Sequence, residues 1–289
     1  MAAWTLGVLG GSGLYEIEGL EDRQTLRLKT PWGAPSDDLL SGTLNGVRVV
    51  FLPRHGKGHR ISPTHLNFRA NIAALKMAGC TDLLSISAVG SLREELSPGT
   101  FVIVDQFIDR TFAREKSFFE PGLVAHVSMA DPTCPRLSEL AYQSALHVGG
   151  QAVNGGVYLV MEGPQFSTRA ESRLYRGWGC DVIGMTNMPE AKLAREAELP
   201  YASVAMVTDY DSWREEDGAG VDVDQIVACM HANANRARSL IRDLTTRLAA
   251  PRAPSPIDRA LAGAIITGPS SRDPDALARL KALIGRDLD

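Results

Sequence analysis

Behind Pro200 the chain runs through Tyr201, Ala202, Ser203, Val204, Ala205, Met206, Val207 and Thr208, then meets two acids, Asp209 and Asp211. An apolar run this short, set off by a proline, predicts a buried strand rather than a helix. In open α/β sheets, ligands sit beyond the carboxyl ends of the strands. Two residues apart, Asp209 and Asp211 would share one side of an extended chain. Carboxylates at the mouth of a buried strand need partners, because unpaired buried charge is costly. Helix capping or surface cations would supply them in one reading, a ligand in the other.

The rest of the chain repeats this design. Leu6 to Leu9 is a short apolar strand that opens into Gly10-Gly11-Ser12-Gly13. Glycines there let backbone N–H groups approach an anion. Glu16 stands where a dinucleotide fingerprint needs its third glycine, and no Walker lysine follows. Residues 25–53 read as strands, with Asn45-Gly46 as a hairpin turn. The strand Val47 to Leu52 ends in Pro53-Arg54-His55-Gly56-Lys57-Gly58-His59, where Arg54 offers a fork for an oxyanion and His55 a further donor. His55 and His59 have a helical metal-pair spacing, but the intervening glycines argue against a helix, and no metal is expected.

Pro63 to Ala78 reads as a helix, and Thr81 to Ser87 as a strand running into Ser87-Ala88-Val89-Gly90-Ser91. Phe101 to Val104 is a third buried strand. Asp109 to Asp131 reads as a long loop carrying His126, and loops this long are usually functional or at interfaces. Pro135 to His147 is an amphipathic helix. Gly155 to Met161 is a strand ending in Glu162-Gly163-Pro164-Gln165-Phe166-Ser167. A helix over Arg169 to Arg176, a strand over Asp181 to Gly184 and a helix over Pro189 to Glu198 precede the opening strand. Asp224 to Ala249 is a long helix on which Val223, Ile226 and Val227 share one face at its start, as core or as a pocket wall. A proline-rich linker and a tail with two short helices occupy 251–289. The alternation of strands and helices predicts a single α/β domain over 1–250.

Composition narrows the function classes. The 289 residues are 44% hydrophobic and 22% charged, with a formal charge of -4, and no long basic run suggests nucleic-acid binding. Cys80, Cys134, Cys180 and Cys229 are scattered without a C-x-x-C pair, which disfavours zinc ribbons and redox pairs. No basic leader with a long apolar core and no run of membrane-spanning length is present, so a reduced, cytoplasmic, membrane-free protein is expected.

Strand ends carrying Ser12, Arg54-His55, Ser87-Ala88, Phe166-Ser167, Met185-Thr186 and Asp209 form an ordered set. With Asp105-Gln106-Phe107-Ile108-Asp109-Arg110-Thr111 and Thr208-Asp209-Tyr210-Asp211, it resembles the trimeric purine nucleoside phosphorylases, most closely the 5′-methylthioadenosine phosphorylases, from about Val8 to about Asn235. The resemblance implies a central mixed β-sheet flanked by helices. It implies transfer of a pentose from purine N9 to phosphate, with phosphate as co-substrate and no metal or organic cofactor. It assigns phosphate to Ser12, Arg54, His55, Ser87, Ala88 and Thr186. Met185 falls to the ribose, Phe166 to base stacking, and Ser167, Asp209 and Asp211 to the purine. It places Val223, Ile226, Val227 and His59 around the 5′ substituent, and brings His126 there from a neighbouring subunit of a homotrimer. Ser12 stands for the commoner Thr, Gln165 for an Arg, and Asn187 also departs from the pattern.

The residue chemistry agrees. Glycosyl transfer passes through an oxocarbenium-like state, which a phosphate held beside it stabilises. The leaving purine gathers charge and needs a proton at N7, which Asp209 can share as that charge develops. The 6-oxopurine relatives typically carry Glu at position 167 and Asn at 209. Ser167 and Asp209 therefore point to 6-aminopurines, whose amino group donates to carboxylates. A 6-oxopurine phosphorylase and a non-catalytic nucleoside-binding protein are the competing expectations.

Overall fold

The computed structural model describes residues 3–11, 13–14, 16–214, 223–248 and 251–287. Among these, eleven strands form one mixed sheet: β1 (Thr5–Gly10), β2 (Glu21–Leu26), β3 (Leu39–Leu44), β4 (Val47–Pro53), β5 (Asp82–Ser91), β6 (Phe101–Val104), β7 (Gln106–Arg110), β8 (Ala152–Asn154), β9 (Val157–Met161), β10 (Val182–Gly184) and β11 (Tyr201–Asp209). The main path runs β2-β3-β4-β1-β5-β10-β9-β7, and β11 joins β5 to β6. β1, β4, β5 and β11 lie parallel, so their carboxyl ends gather at one rim. At its far end β5 also pairs antiparallel with β10. This long strand touches three neighbours and carries Ser87 to Gly90 into the middle of the rim.

The helices cover both faces. On one side α1 (Phe68–Met77), α4 (Asn187–Glu196) and α6 (Pro274–Ile284) pack together, and Ile72, Leu75, Leu193, Leu280 and Leu283 share a core. On the other, α2 (Pro135–His147) packs on α5 (Val223–Arg247) through Leu137, Ala141, Leu240, Ile241 and Leu244. Burying each large aliphatic side chain contributes about 1.5–3 kcal/mol. α3 (Arg169–Gly177) begins with a capping box, Thr168 accepting from Glu171 N while Glu171 reaches back.

Several boundaries differ from the sequence reading for local reasons. Residues 63–78 split into a 3-10 turn (Pro63–His65) and α1, because Asn67 caps the new helix by accepting from Ala70 N. β5 continues four residues past Ser87 because β11 and β10 pair with its extension. Residues up to Arg110, read as the start of a loop, form β7, whose partner β9 lies 51 residues away. The expected 155–161 strand starts two residues late, as β9, and Gly155 and Gly156 separate it from β8, a short strand the sequence reading did not mark.

Residues 251–287 are built into the same packing. Ile257 joins one core and Leu280 and Leu283 the other. Arg252 binds both Asp258 and Asp82, and Asp82 is fully buried.

The segment after β7 is anchored rather than free. Glu196, at the end of α4, accepts from Ser117 Oγ at 2.8 Å and Phe118 N at 2.7 Å. Burial pushes its carboxyl up to about 7, despite those donors and Lys192. An acid whose pKa rises on folding contributes stability below its unfolded value, about 4.3, and loses it as pH climbs through 7. Glu196→Gln should therefore flatten the fall in melting temperature between pH 5 and pH 8, as thermal melts across that range would show.

Candidate active site

A cavity of about 560 Å³ opens at the rim where these strand ends meet. Of the residues singled out from the sequence, it is lined by Arg54, His55, His59, Ser87, Ala88, Phe166, Met185, Thr186, Asp209, Asp211 and Val227. Ser167 sits just behind, buried, with its Oγ 3.5 Å from Asp211 Oδ1. Ser12 lies outside the described residues, between Gly11 and Gly13, which do line the cavity. The side chains of Val223 and Ile226 also lie outside them. His126 is not brought to this cavity within one chain: it is exposed, and its N–H donates to Ala264 O beside the Ala125–Ile265 bridge.

The acids reach the cavity by a route that simple alternation does not predict. β11 pairs with β5 in register from Tyr201 to Val207, then a bulge sets Asp209 opposite Gly90. Bulges re-aim side chains beside functional sites. A Cβ at Gly90 would lie 3.2 Å from Asp209 Oδ2 and 3.2 Å from Asp211 Cβ, so the glycine makes room for both acids. The extended spacing expected for Asp209 and Asp211 is not kept. The chain turns at Tyr210, and Asp211 opens a 3-10 turn (Asp211–Trp213) at φ 37°. A positive φ on aspartate is strained backbone of a kind that clusters at functional sites.

The turn divides the acids' roles. Asp209 accepts from Thr208 Oγ1 at 2.7 Å through Oδ1, and from Asp211 N at 3.0 Å through Oδ2. Asp211 Oδ2 is buried without a protein partner among the described residues. Burial raises the pKa of both carboxyls, for Asp209 against the pull of these donors and for Asp211 against Ser172, Ser212 N and Ser167, with the Asp209 charge adding to the rise.

At the opposite end the cations are already committed. Arg54 is buried, and its guanidinium forks onto Glu190, Nε to Oε2 at 2.7 Å and Nη2 to Oε1 at 3.1 Å. Nη1 donates to Ile86 O, and Nη2 to Ser85 Oγ. The fork expected to meet an oxyanion is thus spent on a carboxylate, leaving one Nη1 N–H without a partner among the described residues. Burial would lower the Arg54 pKa, but Glu190 outweighs it and holds the pKa raised. His55 donates Nδ1 to Ile61 O at 2.9 Å, since a carbonyl can only accept. Burial pulls its pKa down to about 4. The ring is therefore neutral at pH 7, with Nε2 an acceptor rather than the donor expected. His59 stacks on it, ring centroids 4.2 Å apart.

Further residues complete the site that the sequence reading did not assign to it, Met230 having been read only as part of an apolar helix stripe. Arg114, with a fully buried side chain, donates to Met185 O and Met188 O at 2.7 Å each, and to Glu162 O at 2.7 Å. It stitches the end of β9 to the turn after β10. Burial would raise the Glu162 pKa, but donors from Phe112, Thr64, Ala113 and Arg114 hold it at about 2. On α5, Met230, His231 and Ala234 continue the cavity wall begun by Val227. Their offsets of three, four and seven from Val227 were a readable signal.

The model of the phosphorylase superfamily matches residues 5–246. This chain belongs to that superfamily, among its S-methyl-5′-thioadenosine phosphorylases. The S-methyl-5′-thioadenosine phosphorylase of Cereibacter sphaeroides is 60% identical over 285 residues, 98% of each chain, so the match runs well past residue 250. A methylthioadenosine phosphorylase sourced from an antarctic soil metagenomic library superimposes with a TM-score of 0.92 at 44% identity, covering 98% of this chain and 99% of that one. A mutant adenosine/methylthioadenosine phosphorylase of Schistosoma mansoni in complex with methylthioadenosine gives 0.82 at 35% identity, over 90% and 96% of the two chains. The phosphorylase family thus accounts for the central mixed sheet with flanking helices, as the sequence led one to expect.

Proposed function

We propose that this enzyme cleaves the N-glycosidic bond of 5′-methylthioadenosine with inorganic phosphate, releasing adenine and 5-methylthioribose 1-phosphate for purine and methionine salvage. The observation that carries this is one cavity with hydroxyl, amide and guanidinium donors at one end and two carboxylates, the partly buried Asp209 and the buried Asp211, at the other. Ser87 and Gly90, which face those ends, are three residues apart on β5, or roughly 10 Å. A purine nucleoside laid along the strand spans that distance.

Phosphate sits among Gly11, Gly13, the remaining Arg54 N–H, Ser87, Ala88 and Thr186, with Ser12 assigned to it by the family resemblance alone. His55 Nε2 accepts the proton of a monohydrogen phosphate. Because Glu190 cancels the Arg54 charge, the anion keeps its own charge for the ribosyl cation forming beside it. Met185 backs the ribose and Phe166 covers the base. Asp209, whose proton affinity burial increases, shares a proton with N7 as the bond breaks. Asp211 Oδ2 is left to receive the 6-amino group, while Ser167 bonds Oδ1 of the same carboxyl. No metal or organic cofactor takes part.

Incubation with phosphate should release adenine, and equal release without phosphate would mean hydrolysis instead. Base selection has its own check. Asp209→Asn combined with Ser167→Glu should shift the ratio of kcat/KM toward inosine by about 10²-fold or more, because each mismatched polar group is left unpaired.

On the 5′ side, Val227 and Met230 form an apolar wall with His59 lining the same cavity, and the family resemblance assigns Val223 and Ile226 to this substituent as well. His126 joins it from a neighbouring subunit of a homotrimer in the cytoplasm. The exposed His126, outside its own chain's cavity, supports this. A solution mass three times that of the chain, with a raised methylthioadenosine KM for His126→Ala, is the expected result. A monomer with unchanged KM would overturn it. Among the described residues no helix is long and apolar enough to cross a membrane, and no nucleic-acid partner is proposed.

A further inference from the structure

Asn187 is buried in the first turn of α4, under the cavity floor. Its Oδ1 lies 3.2 Å from Ser87 Oγ and 3.2 Å from Thr186 Oγ1, both cavity hydroxyls. Its Nδ2 lies 2.8 Å from Tyr201 Oη and 2.6 Å from Ser203 Oγ. Tyr201 Oη lies 2.8 Å from Glu190 Oε1, which also receives Arg54.

The acidic end gives this chain of bonds a direction. A carboxylate only accepts, so the Tyr201 proton goes to Glu190 and the Tyr201 oxygen must accept from Asn187. The amide therefore turns Nδ2 to Tyr201 and Oδ1 to the two hydroxyls, an orientation decided by the network. Oδ1 has no proton to offer. In these contacts Ser87 and Thr186 are the donors, which turns their lone pairs toward the cavity, and the Tyr158 hydroxyl is a second polar neighbour of both.

We propose that Asn187 is a positioning residue that sets the phosphate affinity of the site by holding the two hydroxyl protons an incoming anion needs. This rests on the reading of Ser87 and Thr186 as phosphate contacts. An anion accepts hydrogen bonds, so each hydroxyl must swing its proton from Oδ1 to phosphate. That leaves a buried amide oxygen without a donor, a loss that weakens binding. Weakening the grip of Asn187 tightens phosphate and leaves the nucleoside alone.

Two variants of the full-length enzyme test this. Asn187→Thr replaces the amide oxygen with a hydroxyl that can itself donate. Tyr201→Phe keeps the buried ring but removes the group that orients the amide, which is then free to turn its NH2 to the hydroxyls. Each should lower the phosphate KM by roughly three- to tenfold, with the methylthioadenosine KM within about twofold of the parent. The rise in melting temperature with added inorganic phosphate should grow in parallel. A merely structural role raises both KM values together, and that result, or a raised phosphate KM in both variants, overturns the proposal. Should Asn187→Thr not fold, Tyr201→Phe alone decides. Ser87→Ala with Thr186→Ala separates the two readings. If that pair leaves the phosphate KM unchanged, the phosphate assignment itself fails. If it raises the phosphate KM while neither Asn187→Thr nor Tyr201→Phe lowers it, only the role of Asn187 fails.

Discussion

Asp209→Ala should lower kcat for methylthioadenosine by about 10²–10⁴-fold, the usual contribution of a positioned proton donor, while the melting temperature holds or rises. Both halves follow from its setting. The carboxyl is partly buried, burial raises its pKa, and among the described residues its protein bonds come from Thr208 Oγ1 and Asp211 N. No cation bonds to it among the described residues, so the fold has little to lose with it. What would be lost is a group that can share a proton with the purine as it leaves. A kcat within tenfold of the parent, with phosphate-dependent turnover intact, would remove Asp209 from the mechanism and leave Asp211 as the acid at this end.

Arg54→Ala should act on stability and chemistry together. It strips both charge-assisted bonds from Glu190, which is 1% exposed. Removing one partner of a buried pair typically costs about 3–5 kcal/mol, because the other charge is left uncompensated. Denaturant melts read this directly. Phosphorolysis should also fall below a tenth of the parent rate, since the free Nη1 N–H and the support of Ser85 leave with the side chain. The double variant Arg54→Met/Glu190→Gln separates the effects. With no buried charge left unpaired, it should recover most of the lost stability and none of the lost turnover. Full stability in Arg54→Ala alone would mean that water or another cation reaches Glu190, and the closed picture of this pair would be wrong.

Local physics made much of this legible from residues alone. Val204 to Val207 could hardly be anything but a buried strand, and the glycine-rich or hydroxyl-bearing ends of the other strands pointed to one ligand-binding rim. Pro135 and the apolar spacing behind it set α2 to the residue. Failures came where a partner distant in sequence decides the outcome. Gln106 to Arg110 is a strand because β9 pairs with it. His55 failed for a local reason instead: Ile61 O, six positions on, takes its only proton and makes Nε2 an acceptor, through a loop conformation that no residue pattern announces.

The sequence by itself determined the class of the fold, the family, and which side chains stand at the strand ends. Each depends on patterns a few residues long, repeated in order. Only the tertiary structure decided what those side chains can do. Arg54 meets Glu190 across 136 positions, Asn187 reaches Ser87 across 100, and the bulge that aims Asp209 exists only in the pairing of β11 with β5. Charge balance and hydrogen-bond direction in a buried site belong to sets of contacting groups. Contact across a hundred residues is a property of the packed chain, not of any stretch of it.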